Sequence, residues 1–448
     1  MKSLVFLLEQ ILNDASIWCS ACTTRDFNTV VRRVENEGIS FLTITLPSFC
    51  KDFERSLDDG EIAPISFAGF QRRGSTRYFD SNGRGVLPRF LGGLLELIFD
   101  KYTGVLLDKP NVDAIFFVRQ ITLVYKKVLL STTDERTRRA FKKYVECEEE
   151  VRAFSDSVSR DLIARFADTA GLLWGSVLSA VDREVYQHEH IPKHGPGATA
   201  ERISGNGKYD IRTWHTRLEE FFPSSEYAIP NPGFFRDLEA IDFLDPDAES
   251  PSRIISVPKT LKTPRIIAIE PVCMQYTQQS LMEMLVRHLE RDDFLSDSVG
   301  FTDQTRNQNM AMIGSMDLEG RGLATIDLSE ASDRVSNLLV KTMFKPYKSL
   351  DGALQACRTV RADVPGFGVI PLAKFASMGS ATTFPVEAMV FLTIVASAFI
   401  RSKGLGVHSK STKTLLGHLL RVVRVYGDDI IVPKDLAYDV TLELESYG

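Results

Sequence analysis

The chain has 448 residues, of which 44 % are hydrophobic and 25 % charged, with a formal net charge of −6. At roughly 150 residues per domain, this length predicts two or three domains or lobes with ample core. The acidic total excludes a uniformly basic nucleic-acid-binding chain, so any polyanion site must arise from local segregation of charge. At the N-terminus Lys2 precedes "LVFLL", but Glu9 and Gln10 interrupt before a secretory core is complete. Cysteines stand at 19, 22, 50, 147, 273 and 357. Cys19 and Cys22 form a C-x-x-C with no second pair or His partner at zinc spacing, so reduced thiols of a cytosolic protein are expected. Residues 1–180 read as mainly helical, and "DERTRRAFKKY" (134–144) is a basic helical stretch whose plainer reading is a solvated face.

Between 190 and 250, Gly, Pro and aromatics gather in "PKHGPGAT" and "FFPSSEYAIPNPGFF", a turn-rich connection. From 251 onward strands and helices alternate. "RIISVP" and "RIIAIE" are β-branched runs joined by "KTLKTP". "GLATIDLS" predicts a strand, followed by a helix with Val335, Leu338, Leu339 and Met343 on its apolar stripe. "AMVFLTIVASAFI" (388–400) is the longest apolar run; it is shorter than the ~20 residues a bilayer needs and predicts a buried helix, not a membrane span. "RVVRVYGDDIIVP" predicts a hairpin. The plan is α+β, an antiparallel sheet with helices on one face.

The chemistry concentrates in four places. In "YGDD", Gly427 and Asp428 suit the centre of a type II′ turn, which would present Asp428 and Asp429 at the tip of a buried two-strand unit. Adjacent carboxylates repel unless a cation sits against them, and hard oxygens without His or Cys favour Mg²⁺, with Mn²⁺ as a substitute. "TIDLSEASD" puts Asp327 at a strand end and Asp333 just beyond it. Two strand ends that each carry an Asp can share a metal pair if they are neighbours in one sheet, as two-metal phosphate chemistry requires. "SVPKTLKTPRIIAIEP" carries Lys259, Lys262 and Arg265 with no acid until Glu270, a donor set suited to triphosphates. In "SMGSATTFP" small residues permit close backbone approach, and Thr383 before Pro385 predicts a helix start. "RSKGLGVHSKSTKTLLGHLLRVVR" (401–424) holds six Lys or Arg and no acid, and would suit a nucleic-acid channel.

In this order, "KTLKTPR", "DLSEASD", "SMGSATTF" and "YGDD" resemble motifs F, A, B and C of palm-domain RNA-dependent RNA polymerases. "VPKTLKTPRIIAIEP", "GFTDQTRNQ", "DLSEASDRVS" and "SMGSATTFPVE" are similar to the replicase catalytic subunit of positive-strand RNA bacteriophages, the leviviruses; so are "EGISFLTITLPSF" and "HGPGAT". The resemblance implies a right-hand polymerase with fingers and palm that copies a phage RNA genome from NTPs in the cytoplasm of an infected bacterium. Elongation factors Tu and Ts, and a ribosomal RNA-binding protein, would be its host partners. It implies that Asp327, Asp428 and Asp429 are catalytic metal ligands, and that Asp333 senses the ribose 2′-OH. Lys259, Lys262 and Arg265 would hold the triphosphate, and Ser377, Gly379, Ser380 and Thr383 would line the nucleotide side. Ser380 stands where relatives often carry Asn, and Asp303, Gln304 and Asn307 match a family stretch without an assigned role.

The expected division is 1–250 as an N-terminal and fingers region, 251–315 as fingers and palm with the basic link, and 316–448 as palm. Since 19 residues follow Asp429, a chain incomplete at its C-terminus, with the thumb largely missing, is expected. Three alternatives stand beside the polymerase: a reverse-transcriptase-like palm enzyme, a catalytically incompetent RNA-binding fragment and a generic Mg²⁺-dependent phosphohydrolase. Asp333 argues against the first, because DNA synthesis favours a bulky side chain there. The basic link and the strand order argue against the third.

Overall fold

A computed structural model describes residues 2–72, 86–203, 205–316 and 322–448. The chain divides into two compact units. The first contains residues 1–140 together with 256–265. Its helices are α1 (Lys2–Cys19), α2 (Thr24–Glu37), α3 (Leu46–Asp59), the short α4 (Gly92–Leu95) and α5 (Val112–Leu123). Leu8, Leu12, Phe49, Phe53, Phe99 and Val118 meet in its core. The Asn111 side chain accepts the Ala114 N–H and caps α5, which fixes where that helix starts.

The second unit contains residues 141–255 and 266–448. It holds most of α6 (Asp134–Ser157), then α7 (Arg160–Tyr186), β1 (Thr213–His215), α8 (Ser224–Tyr227), β2 (Asp242–Leu244) and the strands β3 (Ser252–Val257) and β4 (Arg265–Ile269) outside the link. Next come α9 (Val272–Arg291), α10 (Thr305–Ser315), β5 (Leu323–Asp327), α11 (Ala331–Arg334), α12 (Asn337–Phe344), α13 (Lys348–Cys357), β6 (Arg361–Val364) and β7 (Gly368–Pro371). The chain closes with α14 (Thr383–Ser402), α15 (Lys410–Leu420), β8 (Arg424–Tyr426), β9 (Asp429–Pro433) and α16 (Lys434–Ser446). α7 shows why helices form here. Ser159 caps it by accepting the Leu162 N–H, and Leu162, Phe166, Ala170, Leu173, Trp174, Val177 and Val181 are buried along one stripe.

The α+β expectation holds, with a difference in the sheets. The described residues form three of them: β1-β2, β4-β3-β6-β7 and β5-β9-β8. β1 pairs with β2 in parallel, and so does β3 with β6, where Ser252 faces Ala362. A parallel pairing across more than a hundred residues leaves no local trace in sequence. The expected antiparallel sheet is β5-β9-β8. α14 and α16 pack on each other and onto its strands. Ile430, Ile431 and Val432 of β9 are all buried, as suits a central strand covered on both faces. α14 extends past the apolar run at both ends. It is long and apolar enough to cross a membrane by length and composition, yet 89 % of that window is buried inside the protein.

Candidate active site

β5 and β9 run antiparallel with Leu323 opposite Pro433 and Asp327 opposite Asp429. The two carboxylates therefore rise on the same face of the sheet from directly facing positions. On the other side of β9, Tyr426 faces Asp429, leaving Gly427 and Asp428 as a two-residue turn. Gly427 has φ +61°, and an added Cβ would collide with the Phe384 ring; the positive φ at the first central position is that of a type II′ turn. The turn is held from beneath by aromatic edges. Phe384 meets Tyr426 at 5.1 Å and Phe301 at 5.8 Å between centroids, and Tyr426 donates to the Phe301 carbonyl at 3.2 Å. Asp327, Asp428 and Asp429 are exposed at the rim. The register puts Asp429 directly opposite Asp327, with Asp428 on the adjoining turn.

The stretch "GFTDQTRNQ" finds a place here. Arg424, buried at the start of β8, donates to Asn307 Oδ1 at 3.1 Å and to the carbonyls of Ser296, Asp297 and Val299. That anchors α10 and its preceding loop to the hairpin. Gln304, at the N-terminal end of α10, then donates from Nε2 to Asp429 Oδ2 at 3.2 Å. Asp303 caps locally, accepting from the Thr305 N–H and hydroxyl.

Like charge governs the electrostatics of the turn. Partial burial pushes the Asp429 carboxyl up, Asp428 and Asp327 add to the rise, and only the Gln304 hydrogen bond opposes them. Among the described residues, no Lys or Arg forms an ion pair with any of these three acids. Glu387, buried on α14 behind the turn, is pushed up to about 8 by burial and then by Asp428 and Asp333, and its Oε2 has no hydrogen-bond partner. Sequence reasoning passed over Glu387. The signal was there: it is the single acid in α14, a helix that is apolar over most of its length.

Asp333 sits differently. It lies in α11, and its Oδ1 takes the Lys374 ammonium at 3.1 Å. Lys374 is wholly buried; its Nζ stands 3.6 Å from the Tyr144 ring centroid and 3.6 Å from Glu148 Oε2. Burial works against the Lys374 charge, but Asp333, Tyr144 and Glu148 outweigh it and raise the ammonium above its ordinary range. Ser377 is buried, its Oγ 2.8 Å from the Tyr144 hydroxyl. Ser380 donates to Gln278 Oε1 at 3.1 Å, and Thr383, the first residue of α14 as expected, donates to the Ser377 carbonyl at 3.0 Å. Gly379 has φ +124°, and a Cβ there would overlap the Ala268 carbonyl oxygen; only glycine lets this loop lie against β4.

Lys259, Lys262 and Arg265 belong to the first unit, and all three are exposed. The Asp cluster, Asp333 and the 377–383 loop belong to the second. Of the basic segment 401–424, two cations are engaged within the protein: Arg424 as above, and Arg401 with Glu443 Oε2 at 3.0 Å.

The sequence is also similar to known proteins. Residues 247–448 match the RNA replicase beta-chain family. The stretch includes every motif placed above. The chain is 29 % identical over 307 residues to the RNA-directed RNA polymerase subunit beta of Enterobacteria phage SP, covering 65 % of this chain and 48 % of that protein. It is 33 % identical over 196 residues to the corresponding subunit of Qbeta virus (strain MX1), covering 44 % and 29 %. Over 195 residues it is 33 % identical to the RNA-directed RNA polymerase beta chain of Escherichia phage MS2, covering 44 % and 31 %. The chain thus spans less than half the length of the curated replicases it matches. A solved structure titled "RdRp complex" aligns at a TM-score of 0.37 and 13 % identity, covering 63 % of this chain and 26 % of that one, too slight a likeness to carry an argument.

Proposed function

We propose that this chain carries the catalytic residues of an RNA-directed RNA polymerase that copies single-stranded phage RNA by nucleotidyl transfer. The observation that carries the reading is the register of β5 and β9, which sets Asp327 against Asp429 with Asp428 on the adjoining turn. Replicase relatives from several phages support it.

The donor set fits hard divalent ions. Three carboxylates share one rim with no Lys or Arg ion-paired to them among the described residues, and partial burial, followed by Asp428 and Asp327, raises Asp429. Among the described residues no three His, Cys, Asp or Glu side chains are grouped closely enough to hold a metal ion; the residues that would hold Mg²⁺, an ion that keeps several of its waters, are Asp327, Asp428 and Asp429. When bound, such ions would activate the attacking 3′-hydroxyl and neutralise the leaving pyrophosphate. The chain's own residues do the rest. Asp327, Asp428 and Asp429 provide the anionic rim, and Gln304 fixes the orientation of Asp429. Asp333 offers its carboxylate to the ribose 2′-hydroxyl of the incoming nucleotide. On their chemistry alone, the exposed cations Lys259, Lys262 and Arg265 take the triphosphate role. The site of action would be the cytoplasm of an infected bacterium, with elongation factors Tu and Ts and a ribosomal RNA-binding protein as host partners; co-purification from infected cells tests that part.

Primer extension on an RNA template tests the reading. Asp428→Asn should remove nearly all NTP incorporation and leave RNA affinity almost unchanged. Equal loss of both would make Asp428 structural. Incorporation of dNTPs in preference to NTPs would favour a reverse transcriptase, and RNA binding without extension by the unaltered chain would favour a binding fragment.

A further inference from the structure

We infer that Lys374 is the positioning residue for ribose selection, holding Asp333 in the orientation from which it reads the 2′-hydroxyl. This inference rests on the nucleotide-binding role proposed above for Asp333.

A wholly buried ammonium is costly unless its partners are fixed. Lys374 has three, Asp333, Tyr144 and Glu148, and the last two are each held by something else. Its ring partner Tyr144 is tied at the hydroxyl to Ser377. Its second acid, Glu148, receives the Ala373 backbone N–H at Oε1. The backbone that carries Lys374 is clamped by Arg358, which donates to the carbonyls of Leu372, Lys374 and Phe375 at 2.6–2.7 Å. Two further backbone bonds lock the same segment to the one that follows α11: Phe375 N–H to the Val335 carbonyl at 2.8 Å, and Asn337 N–H to the Ala373 carbonyl at 3.0 Å.

The last link, from Lys374 to Asp333 Oδ1, therefore starts from a rigid point. It occupies one carboxylate oxygen and leaves Oδ2 to accept a hydrogen bond. Asp333 remains 17 % exposed at its side chain, so the carboxylate is not sealed from solvent. A carboxylate bound at one oxygen by a fixed cation loses the rotational freedom that would otherwise blur its recognition of one hydroxyl, and preorganisation of this kind is what gives a hydrogen bond discriminating value. The same Tyr144 also orients Ser377, so one helix, α6, supports two residues of the nucleotide side.

The test compares ATP with 2′-deoxyATP in primed RNA extension by the full chain. Lys374→Met should lower the ratio of kcat/KM for ATP over dATP by about tenfold, the scale of one charge-assisted hydrogen bond. Asp333→Asn should lower it similarly, and the two changes together should do no more than either alone, because they act through one bond. A purely structural lysine would slow both nucleotides alike; an unchanged ratio, or additive losses, overturns the inference. Lys374→Met leaves Asp333 and Glu148 facing each other uncompensated, so Lys374→Met/Glu148→Gln, which keeps the local charge sum of the unaltered chain, serves where the single variant does not fold. Equilibrium binding of the same two nucleotides separates the layers. If the unaltered chain binds neither, the nucleotide reading itself fails and takes the inference with it; if it prefers ATP and the variants keep that preference, Lys374 alone loses its role.

Discussion

The two acid clusters of the second unit are built on opposite principles. At the β8–β9 turn, Asp327, Asp428 and Asp429 share an exposed rim, and among the described residues no Lys or Arg forms an ion pair with them. At α11, Asp333 meets a lysine that is wholly buried and held by two further groups. The difference separates two uses of a carboxylate. An uncompensated cluster keeps its charge available for something that arrives from solvent, whereas a compensated one has settled its charge internally and keeps only a direction. Structural ion pairs resemble the second, and sites for divalent ions resemble the first.

The largest expected effect comes from breaking the uncompensated cluster. Asp327→Asn should reduce NTP incorporation by at least about 10³-fold without lowering the melting temperature, since it relieves repulsion instead of removing a contact. Mg²⁺ should raise the melting temperature of the unaltered chain, because a ligand bound only by the folded state stabilises it. Asp327→Asn should weaken that rise. Calorimetry with and without EDTA checks both, and equal Mg²⁺ stabilisation of the two proteins would remove the rim from metal binding.

Breaking the compensated cluster should show the reverse pattern. Lys374→Met should cost about 3–5 kcal/mol of unfolding free energy, the scale for leaving a buried charge unpartnered, and addition of Glu148→Gln should recover part of it. Chemical denaturation measures both. A loss under about 1 kcal/mol would mean that water reaches the pocket and that the charges were never dry.

Much of this contrast was hidden in the sequence, for physical reasons. The hairpin, the strand ending at Asp327, the buried helix and its start at Thr383 were legible, because turn chemistry and periodicity are local. The pairing of Asp327 with Asp429 was not, since register is settled by contacts a hundred residues apart. Lys374 in "PLAKFAS" looks like any solvated lysine; its burial depends on Tyr144 and Glu148, far away on α6. The basic look of 134–144 dissolves in part along its own helix, where Arg139 meets Glu135 and Lys142 meets Glu146 at 3.1 Å each, while Lys143 pairs with Glu330. Parallel sheet pairs left no local pattern at all.

A third acid sharpens the comparison with the smallest effect, because it is neither open to solvent nor ion-paired. Glu270 is buried at the end of β4, where its Oε2 accepts the Thr359 hydroxyl. Burial pushes its carboxyl up to about 7, against the opposing pull of Thr359, Gln278, Arg358 and Arg217. The folded-state value lies above the unfolded one, so the folded chain holds this proton more tightly. The stability it contributes is fully present below the ordinary glutamate range of about 4.3 and is lost as pH rises through about 7. Glu270→Gln keeps an acceptor for Thr359 and cannot ionise. Its unfolding free energy, measured relative to the unaltered chain, should therefore climb between pH 5 and pH 8 and level off above, by roughly 2–3 kcal/mol. A difference that stays flat across that range would mean that Glu270 is ionised in the folded protein and is held there by Arg358 and Arg217, which would place it with Asp333 among the compensated acids.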